Sequence, residues 1–433
     1  MESEVLFLDK LKNLWTVTEL RKKLFVTLAV LLLFRVGCAI PVPFIDNGVI
    51  SGIFEGGNLF AYMNMLSGGA LSQCAVFALG VSPYINSSIV VQLLTVVFPQ
   101  LDRMRKEETD KYRKIMQYVA AGFALIMAIG YYAMLRSYQA LAFMTGISGV
   151  FVAVVIVAAF VAGSQMVVWL GWQIDDYGIG NGVSLMIFAG IISRWADVVY
   201  LFEAFILYIQ EHEILHAIML GVLPILAVLA IYFVVKSTDA EKRVPIQYSR
   251  SVNGKSSIGA GHSYIPIKVV MSGVMPIIFA STIMSLPATI GSFFGANWNE
   301  GLRNALLGFN TYNWVYDIIY IALIFAFNYF YIDIQFDAVQ IANSLRKNGG
   351  TIPGIRPGIP TTEYLERAAK SVAFLGALIL AIIAALPIML GNLTGLQIQL
   401  GGTTLLIVCG VALEAVTAVD SYMVVRQHKG FLD

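Results

Sequence analysis

The stretch Cys74–Lys114, CAVFALGVSPYINSSIVVQLLTVVFPQLDRMRKEETDKYRK, decides the fold class. Its first 25 residues, Cys74–Phe98, carry no charge. A bilayer core takes about 20 apolar residues per helix, so this run is long enough to cross one. The next 16, Pro99–Lys114, hold six basic residues: Arg103, Arg105, Lys106, Lys111, Arg113 and Lys114. An uncharged run closed by a dense basic cluster is a membrane span whose end faces the cytoplasm.

Nine further stretches read in the same way: Leu24–Ile40, Ile115–Leu135, Val150–Trp172, Val183–Tyr200, Leu215–Val235, Val269–Phe294, Val315–Ile334, Val372–Leu390 and Thr403–Val425. The fifth span, Val183–Tyr200, is the weakest, since its clean run stops at Ile192 before Arg194. Composition agrees with a polytopic membrane chain. Of 433 residues, 58% are hydrophobic and 13% are charged, against about 25% charged in soluble domains. This excludes a soluble enzyme, a disordered chain and a coiled coil. Cys38, Cys74 and Cys409 stand at no metal or redox spacing, so no disulfide framework is expected. No cleavable signal peptide is read either, because no small-residue cleavage site follows the first apolar run.

The net charge of +1 hides an asymmetry. Taking the segments outside the spans alternately, 24 Lys and Arg fall on one side and only Arg136, Arg194 and Arg303 on the other, with Arg35 inside the first span. The positive-inside rule then places both termini in the cytoplasm. Only an even number of spans satisfies this, so the weak fifth span is counted. The expected fold is an all-α polytopic membrane protein with ten transmembrane helices.

Residues 1–23 form a cytoplasmic N-terminus, 24–200 and 215–425 two five-span halves, 201–214 an external hinge segment and 426–433 a cytoplasmic tail. The second span of one half contains Pro83 and the polar run Asn86, Ser87, Ser88 and Gln92. The second span of the other contains Gly273 and Pro276, then Ser281 and Thr282. Interrupted spans at matching places, in halves that start on opposite sides, point to an inverted repeat.

Before the second span, residues 59–73 read LFAYMNMLSGGALSQ. They are too short and too broken by Gly68 and Gly69 to span, and being apolar they should sit against protein, line a cavity or lie as a re-entrant turn. The long basic loops 236–268 and 346–370 read either as docking surfaces for an acidic partner or as topology determinants beside anionic lipid.

Of the charges inside the spans, only Glu414 lies away from a helix end, where an ion-coupled transporter needs an acid. His212-Glu213-Ile214-Leu215-His216 matches the zinc pattern H-E-x-x-H. It stands at the outer mouth of the sixth span, and no Asp-Gly pair exists in the chain to supply a third ligand. Gly146-Ile147-Ser148-Gly149 has the G-x-S-G form of a serine-protease turn, with His216 as a conceivable base. No nucleotide-binding pattern is present, so no cofactor is expected and energy must come from outside.

Several ordered motifs, spread from about Leu8 to Gly430, resemble bacterial SecY, the family of channel subunits of the Sec protein translocase. They are Phe77-Ala78-Leu79-Gly80-Val81-Ser82-Pro83-Tyr84-Ile85, the turn Gly178–Gly182 followed by Ile187-Phe188-Ala189-Gly190-Ile191, the loop Gly349–Gly358 and Gly401-Gly402-Thr403. The resemblance implies two pseudo-symmetric inverted five-helix halves around an hourglass channel that passes unfolded secretory polypeptides and releases membrane helices sideways. It places a pore ring at Val81, Ile85, Ile187, Ile191, Ile278 and Ile407. Val81 stands where the family often has Ile, which would loosen the ring slightly. It also makes residues 59–73 a plug, with Leu59, Phe60, Met63, Met65, Leu66, Gly68 and Gly69, and makes Ser87, Ser88, Gln92, Ser281 and Thr282 a lateral gate bonded across its seam.

The basic positions Arg243, Arg250, Lys255 and Arg356 become docking sites. The partners implied are SecE and SecG in the membrane, SecA as motor, the ribosome, signal peptides and nascent polypeptides, and the lipid bilayer. The location implied is the bacterial cytoplasmic (inner) membrane. A secondary transporter using Glu414 and, more remotely, an intramembrane protease are the other readings.

Overall fold

Small residues decide how closely these helices approach. Hydrocarbon gives no hydrophobic incentive for apolar helices to associate, so their contacts depend on close packing of Gly and Ala. A computed structural model describes residues 17–46, 64, 67–141, 148–193, 225, 228–229, 231–248, 263–271, 273–293, 301, 314–394 and 402–429. In chain order the elements are α1 (Thr18–Ala39), α2 (Ser82–Val97), α3 (Pro99–Glu107), α4 (Thr109–Ser137), α5 (Gly149–Tyr177), α6 (Gly182–Ile192), β1 (Glu241–Tyr248), β2 (Ser263–Lys268), α7 (Met275–Phe293), α8 (Trp314–Gln335), α9 (Ala338–Lys347), β3 (Gly350–Thr351), α10 (Ile359–Thr394) and α11 (Gly402–Lys429).

Every expected span overlaps a described helix; of the sixth, residues 231–239 are helical. Four described stretches, Thr109–Ser137, Gly149–Tyr177, Val315–Lys347 and Ile359–Ala385, are long and apolar enough to cross a membrane unaided. Their outward faces carry large apolar groups such as Ile126, Val154, Ile318 and Ile382, as helices bathed in lipid do. Their inward faces are small: Ala120, Ala124 and Ala128 form one buried row on α4, and Ala373 and Ala377 form another on α10.

Glycines go further. A Cβ on Gly163 of α5 would collide with the Val76 carbonyl, one on Gly182 with the Gly171 carbonyl, and one on Gly376 with the Val269 carbonyl. Each of these places a helix directly against irregular backbone or a helix end. Larger groups then fill the remaining space. Tyr131 meets Phe160 edge-on between α4 and α5, and Phe279 of α7 packs on Phe327 and Tyr331 of α8. A polar bond joins α8 to α10, from buried Asn328 Nδ2 to the Ala373 carbonyl at 2.8 Å.

The structure revises several sequence expectations. The second span does not run helically from Cys74: residues 67–81 are turns, and α2 begins at Ser82 with Pro83 in its first turn. Proline is favourable there because its missing N–H would have no helical partner. Pro83 therefore opens the helix rather than interrupting it. At its other end α2 breaks by 114° into α3, so part of the basic segment after the span is helical. The loop 236–268 holds an antiparallel hairpin of β1 and β2, pairing Arg243 with Pro266 and Val244 with Ile265. Strand β1 continues onto β3 from the other long loop, pairing Gln247 with Thr351, so the sheet order is β2-β1-β3. The latter part of loop 346–370 is also helical, because α10 starts at Ile359. The hinge segment 201–214 lies outside the described residues.

The Gly163 contact is testable. Overpacking a close approach of this kind costs about 1–3 kcal/mol, so Gly163→Val should lower the thermal unfolding midpoint of the purified protein in detergent. Gly122→Ala on α4, where nothing lies within 4 Å of the added Cβ, should leave that midpoint unchanged.

Candidate functional site

The turn Gly178–Asn181 sets the position of α6. The Asp175 carboxylate accepts the Gly182 N–H at 2.7 Å, Thr27 Oγ1 of α1 accepts the Ile179 N–H at 3.1 Å, and Asn181 Oδ1 caps the helix through the Ser184 N–H. Gly180 takes φ +76, a left-handed conformation that glycine adopts without strain. Helix α6, anchored in this way, carries Ile187 and Ile191 one turn apart on one face. On the facing side, Val81 is the residue just before α2 rather than on it. Its backbone is already helical and its carbonyl accepts the Ile85 N–H at 3.0 Å, so the two side chains keep a one-turn relation. Ile278 comes from α7 and Ile407 from α11.

All six positions are buried, with exposures of 1% for Val81, 4% for Ile85, 1% for Ile187, 6% for Ile191, 2% for Ile278 and 0% for Ile407, and all six belong to one hydrophobic cluster. That cluster draws on both halves of the chain. A cavity of about 320 Å³ is lined by three of them, Ile85, Ile187 and Ile278. Ser88, Gln92, Arg105 and Asp175 also line it, the last two from the helix ends on the basic side.

The expected gate residues Ser87, Ser88, Ser281 and Thr282 are buried where α2 packs on α7. Several of their hydrogen bonds lie within their own helices. Ser87 Oγ donates to the Tyr84 carbonyl (2.8 Å), and Ser281 Oγ and Thr282 Oγ1 both donate to the Ile278 carbonyl (2.9 and 2.6 Å). Gln92 Nε2 donates to Ser88 Oγ at 2.9 Å. These hydroxyl protons are committed within their own helices, which is the usual outcome for Ser and Thr in apolar helices.

Of the expected plug residues, Gly68 and Gly69 are described, while Leu59, Phe60, Met63, Met65 and Leu66 lie outside the described residues. Gly68 is touched by Arg35, which the sequence reading leaves without a role; its signal was a lone arginine inside a span.

Among the expected docking residues, Arg243 is exposed on β1, bonded to Glu241 at 2.7 Å and stacked over the Tyr264 ring at 4.8 Å. The Glu241 bond pushes its guanidinium pKa further up. Arg356 is exposed in the turn before α10, with its carbonyl held by Thr361 Oγ1 at 2.8 Å. Arg250 and Lys255 lie outside the described residues. The two loops share a small core of Val244, Ile267, Ile352 and Leu365, so Arg243 and Arg356 project from one unit.

The other readings find little support. Glu414 is next to Ala415, whose Cα is 3.8 Å from the Cβ position of Gly180, and it interacts with Asp175. It therefore lies at the level of the basic-side helix ends rather than the midplane. Ser148 caps α5 by accepting the Phe151 N–H. His212 and His216 fall outside the described residues.

Comparison with known proteins agrees with the geometry. The SecY family model matches residues 75–416. The protein translocase subunits SecY of Corynebacterium glutamicum and Thermotoga maritima are each 35% identical, over 96% and 97% of this chain and 97% of each relative. Two solved structures share the fold at lower identity. One is a protein-conducting channel, with a TM-score of 0.62 and 18% identity over 92% of this chain and 91% of that one. The other is Sec61 in the canine ribosome-channel complex from the endoplasmic reticulum, with a TM-score of 0.60 and 15% identity over the same shares. The chain belongs to the SecY family.

Proposed function

We infer that this chain is the channel subunit of a Sec protein translocase, passing unfolded secretory polypeptides across the bacterial cytoplasmic membrane and releasing membrane-protein helices sideways into the bilayer. It performs no bond chemistry. The observation that carries this reading is that six aliphatic side chains from both halves are buried in one hydrophobic cluster, three of them lining a cavity that Arg105 and Asp175 also line. Such groups fit around any side chain and form no specific bond to it, so they can seal without selecting sequence, by steric fit and dewetting.

On this reading Val81, Ile85, Ile187, Ile191, Ile278 and Ile407 are the pore ring, residues 59–73 are the plug, and the α2–α7 seam is the lateral gate. SecE and SecG are the membrane partners. SecA or a ribosome, engaged at the unit that carries Arg243 and Arg356, supplies the drive.

Two measurements test it. Ile278→Asn or Ile407→Asn places a polar amide in the hydrophobic cluster, at a cost of about 1–3 kcal/mol. That is about a ten- to hundredfold shift of the closed-to-open equilibrium. Either variant should raise small-ion efflux from proteoliposomes, or let precursors with defective signal sequences through; a tight, fully selective channel in both would overturn the ring. Arg356→Glu should weaken binding of the cytoplasmic partner about tenfold at low salt, with the difference shrinking as salt screens it, and should leave membrane insertion unchanged.

A further inference from the structure

Helix α10 starts on the basic side at Ile359 and carries its last charge, Lys370, just before the apolar run that begins at Val372. Before that run, Glu363, Glu366, Arg367 and Lys370 recur at intervals of three and four residues, so they share one face of the helix. All four are exposed. The same face continues toward the membrane with Phe374 and Leu375, which are exposed as well. With Tyr329 of α8 these side chains line a surface groove of about 800 Å³.

The wall of the groove is firmly set. Asn328 Nδ2 ties α8 to the Ala373 carbonyl of α10. Phe325 of α8 rests on Phe374 with ring centroids 5.9 Å apart, and Tyr329 packs on the cluster of Ile332, Ala369 and Ala373.

The charges, in contrast, are left open. Glu363 with Arg367 and Glu366 with Lys370 have the four-residue spacing, acid first, that favours an ion pair on a helix. Elsewhere on the basic side such pairs form: Arg105 bonds Asp102, Lys111 bonds Glu108 and Arg113 bonds Asp176. Among the described residues, none of the four groove charges takes part in an ion pair.

Their order is specific. At the helical rise per residue, the two acids lie on average about 6 Å farther from the apolar run than the two bases. An occupant that answers every group has a cation outermost, an anion next and hydrocarbon innermost. That is the order of a phospholipid with an amino headgroup in the cytoplasmic leaflet. A lipid with a phosphate and no amine would satisfy Arg367 and Lys370 but set its negative charge beside Glu363 and Glu366 uncompensated.

We propose that the groove between α8 and α10 binds one aminophospholipid, with its phosphate on Arg367 and Lys370, its ammonium on Glu363 and Glu366 and an acyl chain along Phe374, Leu375 and Tyr329. The guanidinium fork of Arg367 matches two phosphate oxygens, and an ammonium has three donors to divide between two carboxylates. The site is independent of the ring, plug and gate assignments.

The test uses the purified channel complex, depleted of lipid in detergent and titrated with phosphatidylethanolamine, phosphatidylglycerol or phosphatidylcholine, with bound lipids counted by native mass spectrometry. One copy of phosphatidylethanolamine should be retained about fivefold more tightly than either of the others, a modest factor because exposed charge contacts are individually weak. Phosphatidylcholine is the sharper control, since its quaternary ammonium has no N–H to donate. Equal retention of the three would overturn the proposal. Arg367→Gln with Lys370→Gln should lower phosphatidylethanolamine affinity about fivefold. Glu363→Gln with Glu366→Gln should abolish the preference over phosphatidylglycerol. An unchanged preference in either double variant would overturn the site.

If a double variant fails to fold, Ser371→Trp fills the groove while keeping all four charges, and it should exclude the lipid; undiminished retention would overturn the site. Ser371→Cys identifies the occupant. Its alkylation in the lipid-depleted complex should be fast and should slow when phosphatidylethanolamine is added. A cysteine already shielded in the lipid-depleted complex would mean that a protein partner covers the groove, and the lipid assignment would be overturned.

Discussion

Hydrocarbon offers no hydrogen bonds, and the described irregular stretches 67–81 and 178–181 answer to that constraint. Helices satisfy their own peptides. The segments between them at membrane depth cannot, and they are found only where protein surrounds them. Residues 67–81 are folded into turns against α1, α4 and α5, with the Val76 N–H bonded to the Ile40 carbonyl, the Val42 N–H to the Cys74 carbonyl, and Gly163 leaving room for the Val76 carbonyl. The turn before α6 is secured in the same way by Asp175, Thr27 and Asn181. These two irregular segments carry or precede four of the six positions proposed for the ring. The constraint that makes non-helical backbone costly in a membrane also fixes it firmly where it is used.

Much of this was legible in the sequence because the membrane imposes coarse rules. Apolar runs of about 20 residues and the distribution of Lys and Arg were enough to place the spans and orient the chain, and α4, α5, α8 and α10 follow those runs closely. The positions proposed for the ring came only from motif resemblance. Composition gives no reason to prefer Ile187 over Phe188, since what sets it apart is the direction in which it points, and that depends on the anchored turn before it.

What was not legible has local causes. In β1 and β2 the alternation is short, Val244 with Ile246 and Ile265 with Ile267, and Pro245 and Pro266 stand inside it. Proline within so brief a pattern argues against a strand. The prolines are tolerated because the sheet is small and each strand needs few ladder bonds. The start of α2 was hidden because Cys74–Ser82 is as apolar as the helix that follows, and hydropathy does not distinguish a buried turn from a span. The junction of Arg35 with Gly68 joins residues 33 apart, and only the fold brings them together.

If the seam between α2 and α7 is the lateral gate proposed above, the bonding of its hydroxyls bears on the cost of opening it. Hydroxyls bonded across it would each be stranded when the helices part, and a stranded polar group in hydrocarbon is costly. Ser87, Ser281 and Thr282 instead bond to carbonyls of their own helices and take those bonds with them. On that reading these bonds do not have to break for the helices to part.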